Sequence, residues 1–244
     1  DRMYLVDRVR CYGCPADPFP GLQCVNEGNT IDACFPQLDP KKYTEFAAAV
    51  VERPLKGRRI ETTRHRGWNW EELGKIDPAA GGAERAHVDA LRLMAIFLNH
   101  WDNKDKNQRL ICLGEKDPPG RQLTSEPCER PLAMIQDLGA TFGPLKLDLR
   151  KWADSPVWSD AESCLVSMQA LPYEGSTFPD TRISEEGRQF LAAGLKSLTS
   201  TQIRDLFEGA RISRYPMGDS NVDRWVSAFQ KRVRAITDHA PCPA

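Results

Sequence analysis

Between His100 and Asn107 the chain reads H-W-D-N-K-D-K-N, which brings a carboxylate (Asp102), an ammonium (Lys104) and an amide (Asn107) into one short stretch. Phosphoryl transfer asks for that set. A carboxylate accepts or orients the proton of the nucleophile, a cation meets the transferring phosphate, and a further side-chain oxygen ligates a metal. Further along, Gln136-Asp137-Leu138-Gly139 places a carboxylate where a strand ends, followed by a turn-permissive glycine. A metal-bridging carboxylate would sit at such a point. The plain alternative is a solvated loop and a turn aspartate, because polar runs commonly follow helices. His100 suits a hydrogen-bonded structural role better than that of a base.

These residues need elements to hold them. Glu84 to Trp101 carries the clearest helical period of the chain: Val88, Leu91, Met94 or Ala95, and Leu98 recur at helical spacing with no intervening proline. That helix should be buried and should deliver the polar loop at its C-terminal end. Arg109 to Leu113 and Pro131 to Gln136 read as two short strands of a hairpin, joined by a polar insert with Pro118, Pro119, Gly120 and Pro127. Cys112 and Cys128 flank that insert, so a bridge between them would close its base.

Beyond Asp137, helical periods cover Glu185 to Ser197, Thr199 to Gly209 and Asn221 to Asp238, with cap or first-turn residues at Ser200 to Gln202 and at Asp219 or Ser220. On the N-terminal side, Tyr4 to Val9 reads as a strand. An irregular cysteine-rich segment with four prolines follows, and Lys42 to Glu52 is helix-like. The expected fold is α+β and mainly helical, with a small antiparallel hairpin. It is expected as one domain over residues 1–244, carrying an irregular segment over 1–40.

The loop and the later motif resemble the protein-kinase-like superfamily, whose catalytic loop follows H-R-D-x-K-x-x-N and whose metal motif is D-F-G. Here the corresponding residues are H-W-D-N-K-D-K-N and D-L-G. By that resemblance Asp102 is the catalytic base and Lys104 the lysine that contacts phosphate. Asn107 and Asp137 are the metal ligands, Lys104, Asn107 and Asp137 together bind the nucleotide, and His100 is the structural histidine of the loop.

The helix, loop, strand, insert, strand order is also that of the kinase C-lobe. The long spacing from loop to metal motif is similar to that of the atypical branches: HipA-type kinases, phosphatidylinositol kinases and secretory-pathway Golgi kinases. The resemblance implies ATP with Mg2+ or Mn2+ as cofactors and a protein or small-molecule acceptor. It covers residues 84–143. Trp101 stands where the arginine is usual, and Leu171-Pro172-Tyr173-Glu174 only echoes A-P-E. Neither a G-x-G-x-x-G nor a V-A-I-K-type lysine precedes Glu84. The nucleotide-covering N-lobe is therefore expected on a separate segment, with this chain alone incomplete or inactive.

Composition narrows the rest. Thirty-three basic against 34 acidic residues give a formal net charge of -1, which offers no general attraction for nucleic acid or an anionic membrane. No stretch approaches the roughly 18 apolar residues of a membrane span. The chain begins Asp-Arg-Met, so the natural start is expected further upstream.

The eight cysteines are Cys11, Cys14, Cys24, Cys34, Cys112, Cys128, Cys164 and Cys242. They form an even set in loop-like context, which favours disulfides and an extracytoplasmic, periplasmic or secreted setting. Zinc on Cys11, Cys14, Cys24 and Cys34 is the alternative, with only one pair at knuckle spacing. A thioredoxin-type role lacks the helix that would follow Cys14. Lys56 to Arg66 could meet phosphate but has acidic neighbours, and Trp68 with Trp70 could line a surface or pack half-buried. Two function classes remain: a kinase-type phosphotransferase, and a non-catalytic, disulfide-stapled, pseudokinase-like module.

Overall fold

The computed structural model describes residues 2–17, 19–35, 38–53, 55–61, 67–115, 127–143, 147–171, 177–214 and 218–243. Within them the chain forms two compact units, Asp1–Leu55 and Lys56–Ala244. The proline-rich part of the hairpin insert, the end of the basic stretch (62–66) and residues 172–174 lie outside the described set.

The first unit is built on an antiparallel ribbon of β1 (Arg2–Tyr12) and β2 (Tyr43–Arg53), in register with Val6 opposite Ala49 and Cys11 opposite Thr44. Between the strands run α1 (Phe19–Asn26) and α2 (Ile31–Cys34). Disulfides join Cys11 to Cys14 and Cys24 to Cys34, so the four cysteines considered as zinc ligands are consumed in bridges.

The helix expected over Lys42 to Glu52 is instead strand β2. Its alanines suit a helix, but Tyr43, Thr44, Phe46, Val50 and Val51 are β-branched or aromatic. A partner strand of equal length satisfies their backbone, and tertiary pairing overrides the local preference. Arg8 and Arg10 straddle Glu45 across the ribbon.

The second unit is mainly helical, with small antiparallel sheets. Strands β3 (Gly57–Arg59), β4 (Gln108–Leu113) and β5 (Pro131–Ile135) form one sheet in that order, so the expected hairpin is present and gains a third strand. Its base is closed by the Cys112–Cys128 disulfide. A two-stranded pair, β6 (Leu165–Val166) and β7 (Thr181–Arg182), lies among the helices.

The helices are α3 (Trp70–Leu73), α4 (Arg85–Leu98), α5 (Leu149–Asp154), α6 (Glu185–Lys196), α7 (Ser200–Gly209) and α8 (Val222–Thr237). Helix α4 packs on α6, and α8 receives α5, α6 and α7. Leu93 and Phe97 of α4 are wholly buried, as expected for the helix that carries the loop. Around them Phe142, Trp152, Phe207, Trp225 and Phe229 form a continuous aromatic cluster, largely edge-to-face. Asp89, also wholly buried, accepts from Arg85, Arg92 and the Ser184 backbone and so fastens the start of α6 to α4.

The C-terminal helices start one residue away from the caps expected. Thr199 caps α7 through a reciprocal capping box with Gln202, and Asn221 caps α8. The chain end is held by the Cys164–Cys242 disulfide and by Glu185, which accepts from Arg188, from Gln189 and from the Cys242 backbone.

Those hydrogen bonds, Arg188 foremost, pull the Glu185 carboxyl down to about 2 from its ordinary 4.5. A depressed acid contributes stability that is complete above 4.5 and lost as pH falls through 2. In urea titrations, the wild-type midpoint should therefore fall more steeply than that of Glu185→Gln across this window. Parallel profiles would show that the pair adds nothing to acid stability.

Candidate functional site

The polar loop starts from an unusually well-satisfied helix end. The last carbonyls of an α-helix have no partner within the helix. In α4 the Ile96 and Phe97 carbonyls accept from the Arg232 guanidinium, and Phe97 also accepts from the Trp152 indole. The Leu98 carbonyl accepts from the Phe142 backbone at 2.7 Å, and the Ala95 carbonyl from the His100 backbone at 2.8 Å. Asn99 then turns the chain in the left-handed conformation at φ 50°, a region asparagine tolerates better than most residues. The Phe142 contact comes from the chain just beyond Asp137-Leu138-Gly139, so the two sequence motifs meet at the helix end.

Within the loop Asn103, like His100, faces inward. Asn103 is fully buried: its amide donates to the His100 carbonyl at 2.6 Å, and its Oδ1 accepts from the Trp70 indole at 3.0 Å. Its own carbonyl accepts from the buried Gln108 side chain at 2.8 Å. Trp68 and Trp70 are accordingly core residues rather than a surface lining: Trp70 braces the loop through Asn103, and Trp68 donates to the Met134 carbonyl of β5. Gly67 closes the underside at φ +75°. A Cβ there would stand 2.1 Å from the Asp105 carbonyl, so only glycine permits the approach. The loop is thus anchored on one side, leaving Asp102, Lys104 and Asn107 half-buried on the other.

Asn107 joins the two motifs. Its side-chain amide donates to the Asp102 carbonyl at 2.7 Å, while its backbone carbonyl accepts from the Gln136 and Asp137 backbones, each at 3.0 Å. Because the amide nitrogen is committed, Oδ1 is the Asn107 atom left to meet a ligand. The Asp137 carboxylate is exposed and uses Oδ1 to accept from the Gly139 backbone at 2.8 Å, which fixes the turn and leaves Oδ2 without a bond among the described residues. Lys104 Nζ donates to Asp102 Oδ1 at 2.7 Å, placing cation and carboxylate side by side.

His100 sits beneath this surface, 1% exposed, and neither ring nitrogen has a hydrogen-bond partner among the described residues. Burial pushes its basicity down. The Ala140 backbone and then the Asp102 and Asp137 charges oppose that, without overturning it. Ala140 acts on the ring without meeting hydrogen-bond geometry. His100 is therefore buried without the hydrogen bond expected of it among the described residues, its basicity lowered by that burial.

Of the kinase-like residues singled out from the sequence, Asn107 links the Asp102 and Asp137 backbones by hydrogen bonds, Lys104 rests on the Asp102 carboxylate, and His100 is buried nearby. The residues missed are Asn103, Gln108 and Arg232, whereas Trp70, read as lining a surface or packing, proves to pack. Among the described residues, trios of His, Cys, Asp or Glu donors near enough to share a metal occur only at two disulfides. These are Cys164, His239 and Cys242, and Cys112, Glu115 and Cys128; in each the sulfurs are spent on the bridge. At the loop, the oxygens that the kinase resemblance would assign to a cation are Asn107 Oδ1 and Asp137 Oδ2, one amide and one carboxylate oxygen. That fits Mg2+ or Mn2+ better than zinc, because Mg2+ is commonly held by one or two carboxylates together with substrate phosphates. Comparison with protein-family models, with curated proteins and with solved structures finds no match for this chain.

Proposed function

We propose that the loop and the Asp137 turn form a kinase-like phosphate and metal site, and that the chain is a phosphotransferase domain for ATP with Mg2+ or Mn2+. The observation that carries this reading is Asn107. One side chain and its backbone tie Asp102 to Asp137, leaving an amide oxygen and a carboxylate oxygen for a cation. In this role Asp102 orients the acceptor hydroxyl and takes its proton. Lys104, now resting on Asp102, transfers its hydrogen bond to the phosphate that arrives. A bound metal would supply charge neutralisation across the phosphate oxygens. The acceptor is a protein or small molecule, and a separate N-lobe segment completes the nucleotide cover. The four bridges fit an extracytoplasmic setting, periplasmic or secreted.

One observation favours the non-catalytic module: the Lys104 ammonium already neutralises the Asp102 carboxylate at 2.7 Å. Asp102→Asn separates the two readings. It should leave the affinity for ATP with Mn2+ within about twofold, because the residue does not ligate the metal, while lowering single-turnover phosphate transfer, measured with a nucleotide lobe supplied, by about 100-fold or more, the scale of a lost general base. Equal turnover in Asp102→Asn and wild type would favour the module.

A further inference from the structure

The first unit holds a cavity of about 410 Å3 that plays no part in the loop site. Its size falls in the range of small-ligand pockets, about 300–1,000 Å3. Phe35, Leu38 and Tyr43 give it apolar walls, Cys14 forms part of its rim, and Asp39 and Lys42 add one charge of each sign. Asp39 and Lys42 are the two ends of a β-turn, with Pro40 in its second position and the Lys42 backbone donating to the Asp39 carbonyl at 3.0 Å. Among the described residues neither the Lys42 ammonium nor the Asp39 carboxylate has an ion-pair partner, not even the other.

The walls are fixed before any ligand arrives. Gly13 donates to the Lys42 carbonyl at 2.9 Å, and the Thr44 hydroxyl donates to the Cys14 carbonyl at 2.6 Å. These bonds hold the segment after β1 against the segment before β2. The Cys11–Cys14 bridge fastens the first of these segments, and the Cys24–Cys34 bridge fastens the residue next to Phe35. Both disulfides of the unit thus immobilise a wall of the same cavity, and a pocket held in its bound shape loses little order when it is filled.

The groove is open and apolar, its Leu38 and Tyr43 walls exposed, with two opposite charges at one edge, where Asp39 Oδ1 accepts from the Lys41 backbone at 2.9 Å and no ion pair is formed among the described residues. It is complementary to an apolar group that carries an ammonium beside a carboxylate. We infer that this cavity binds a free apolar α-amino acid, the ligand carboxylate on Lys42, its ammonium on Asp39, and its side chain against Phe35, Leu38 and Tyr43.

The test is calorimetric titration of the full chain with L-phenylalanine and L-leucine, beside N-acetyl-L-phenylalaninamide, which has the same ring and neither charge. Saturable one-to-one binding of either amino acid is expected, weaker by about tenfold or more for the capped derivative, which forfeits the charge-assisted hydrogen bonds. Lys42→Met and Asp39→Asn should each cause a loss of similar size. Both are turn substitutions outside the core, and unchanged circular dichroism confirms their fold. Reduction of the disulfides should abolish binding, whereas Asp102→Asn should leave it unchanged. No saturation by either amino acid at millimolar concentration, equal binding of the capped derivative, or wild-type affinity in both variants would overturn the assignment.

Discussion

The double substitution Cys164→Ser/Cys242→Ser should lower the unfolding free energy by about 4–5 kcal/mol and Tm by roughly 10–15 °C, the largest single loss expected in this chain. The bridge closes a sequence separation of 78 residues, against 16 for Cys112–Cys128. The entropy removed from the unfolded chain grows with the logarithm of the loop, so opening the shorter bridge should cost nearer 3 kcal/mol. Native contacts add to the difference. Cys164 is wholly buried, and the bridge brings the chain end to Glu185, which accepts from the Cys242 backbone. His239 lies tilted against Trp158, whose indole donates to the Ala235 carbonyl of α8. Denaturant unfolding of the two double variants is the check. Equal losses would mean that the unfolded chain is already compact between residues 164 and 242, so that its closure costs little.

Arg232→Met should cost about 3–5 kcal/mol, and it should disturb the loop as well as the core. Arg232 is 2% exposed and reaches from α8 to the carbonyls of Ile96, Phe97, Trp152 and Ser155 and to the Asn99 amide oxygen. No carboxylate is among these partners. The charge is met by the negative end of α4, and burial draws the guanidinium down from its ordinary value to about 10. Methionine keeps much of the volume against Phe97 and Trp152 but removes all of these hydrogen bonds at once; the Phe97 carbonyl keeps the Trp152 indole and the Ile96 carbonyl the Asn99 backbone as donors. Lysine would not restore it, since one ammonium cannot span the fork. Amide hydrogen exchange from Phe97 to Asn103 should accelerate in Arg232→Met before global unfolding does. Unchanged protection there would show that the helix end holds its shape without α8.

The contrast between Asp102 and Arg232 shows what was legible in the sequence. Asp102, Lys104, Asn107 and Asp137 could be picked out because their chemistry is local: the right residue types lie at short spacing after a strongly periodic helix. Helix α4 and strands β4 and β5 were equally readable, since their patterns run uninterrupted by glycine or proline. Arg232 and Asn103 look like ordinary surface residues, and their meaning lies in partners 135 and 33 positions away, Phe97 and Trp70. Strand β2 was misread for a related reason. An alanine-rich segment takes its conformation from the strand opposite, and nothing within Tyr43 to Arg53 announces that partner. Eight cysteines allow 105 pairings, so only Cys112–Cys128, flanking a readable hairpin, could be anticipated.

The most direct test of a phosphate and metal site is electron paramagnetic resonance of Mn2+ with the chain, with and without ATP, in wild type and in Asp137→Asn. With only two protein oxygens at the turn, Mn2+ should stay largely free until ATP supplies phosphate ligands, and should then be captured, weakly, by the wild type alone. Asp137→Asn, at an exposed position, should keep the fold and lose that capture. Capture of Mn2+ and ATP to the same extent by Asp137→Asn, or no capture by either chain, would contradict the account and leave the polar loop as a braced turn without a ligand.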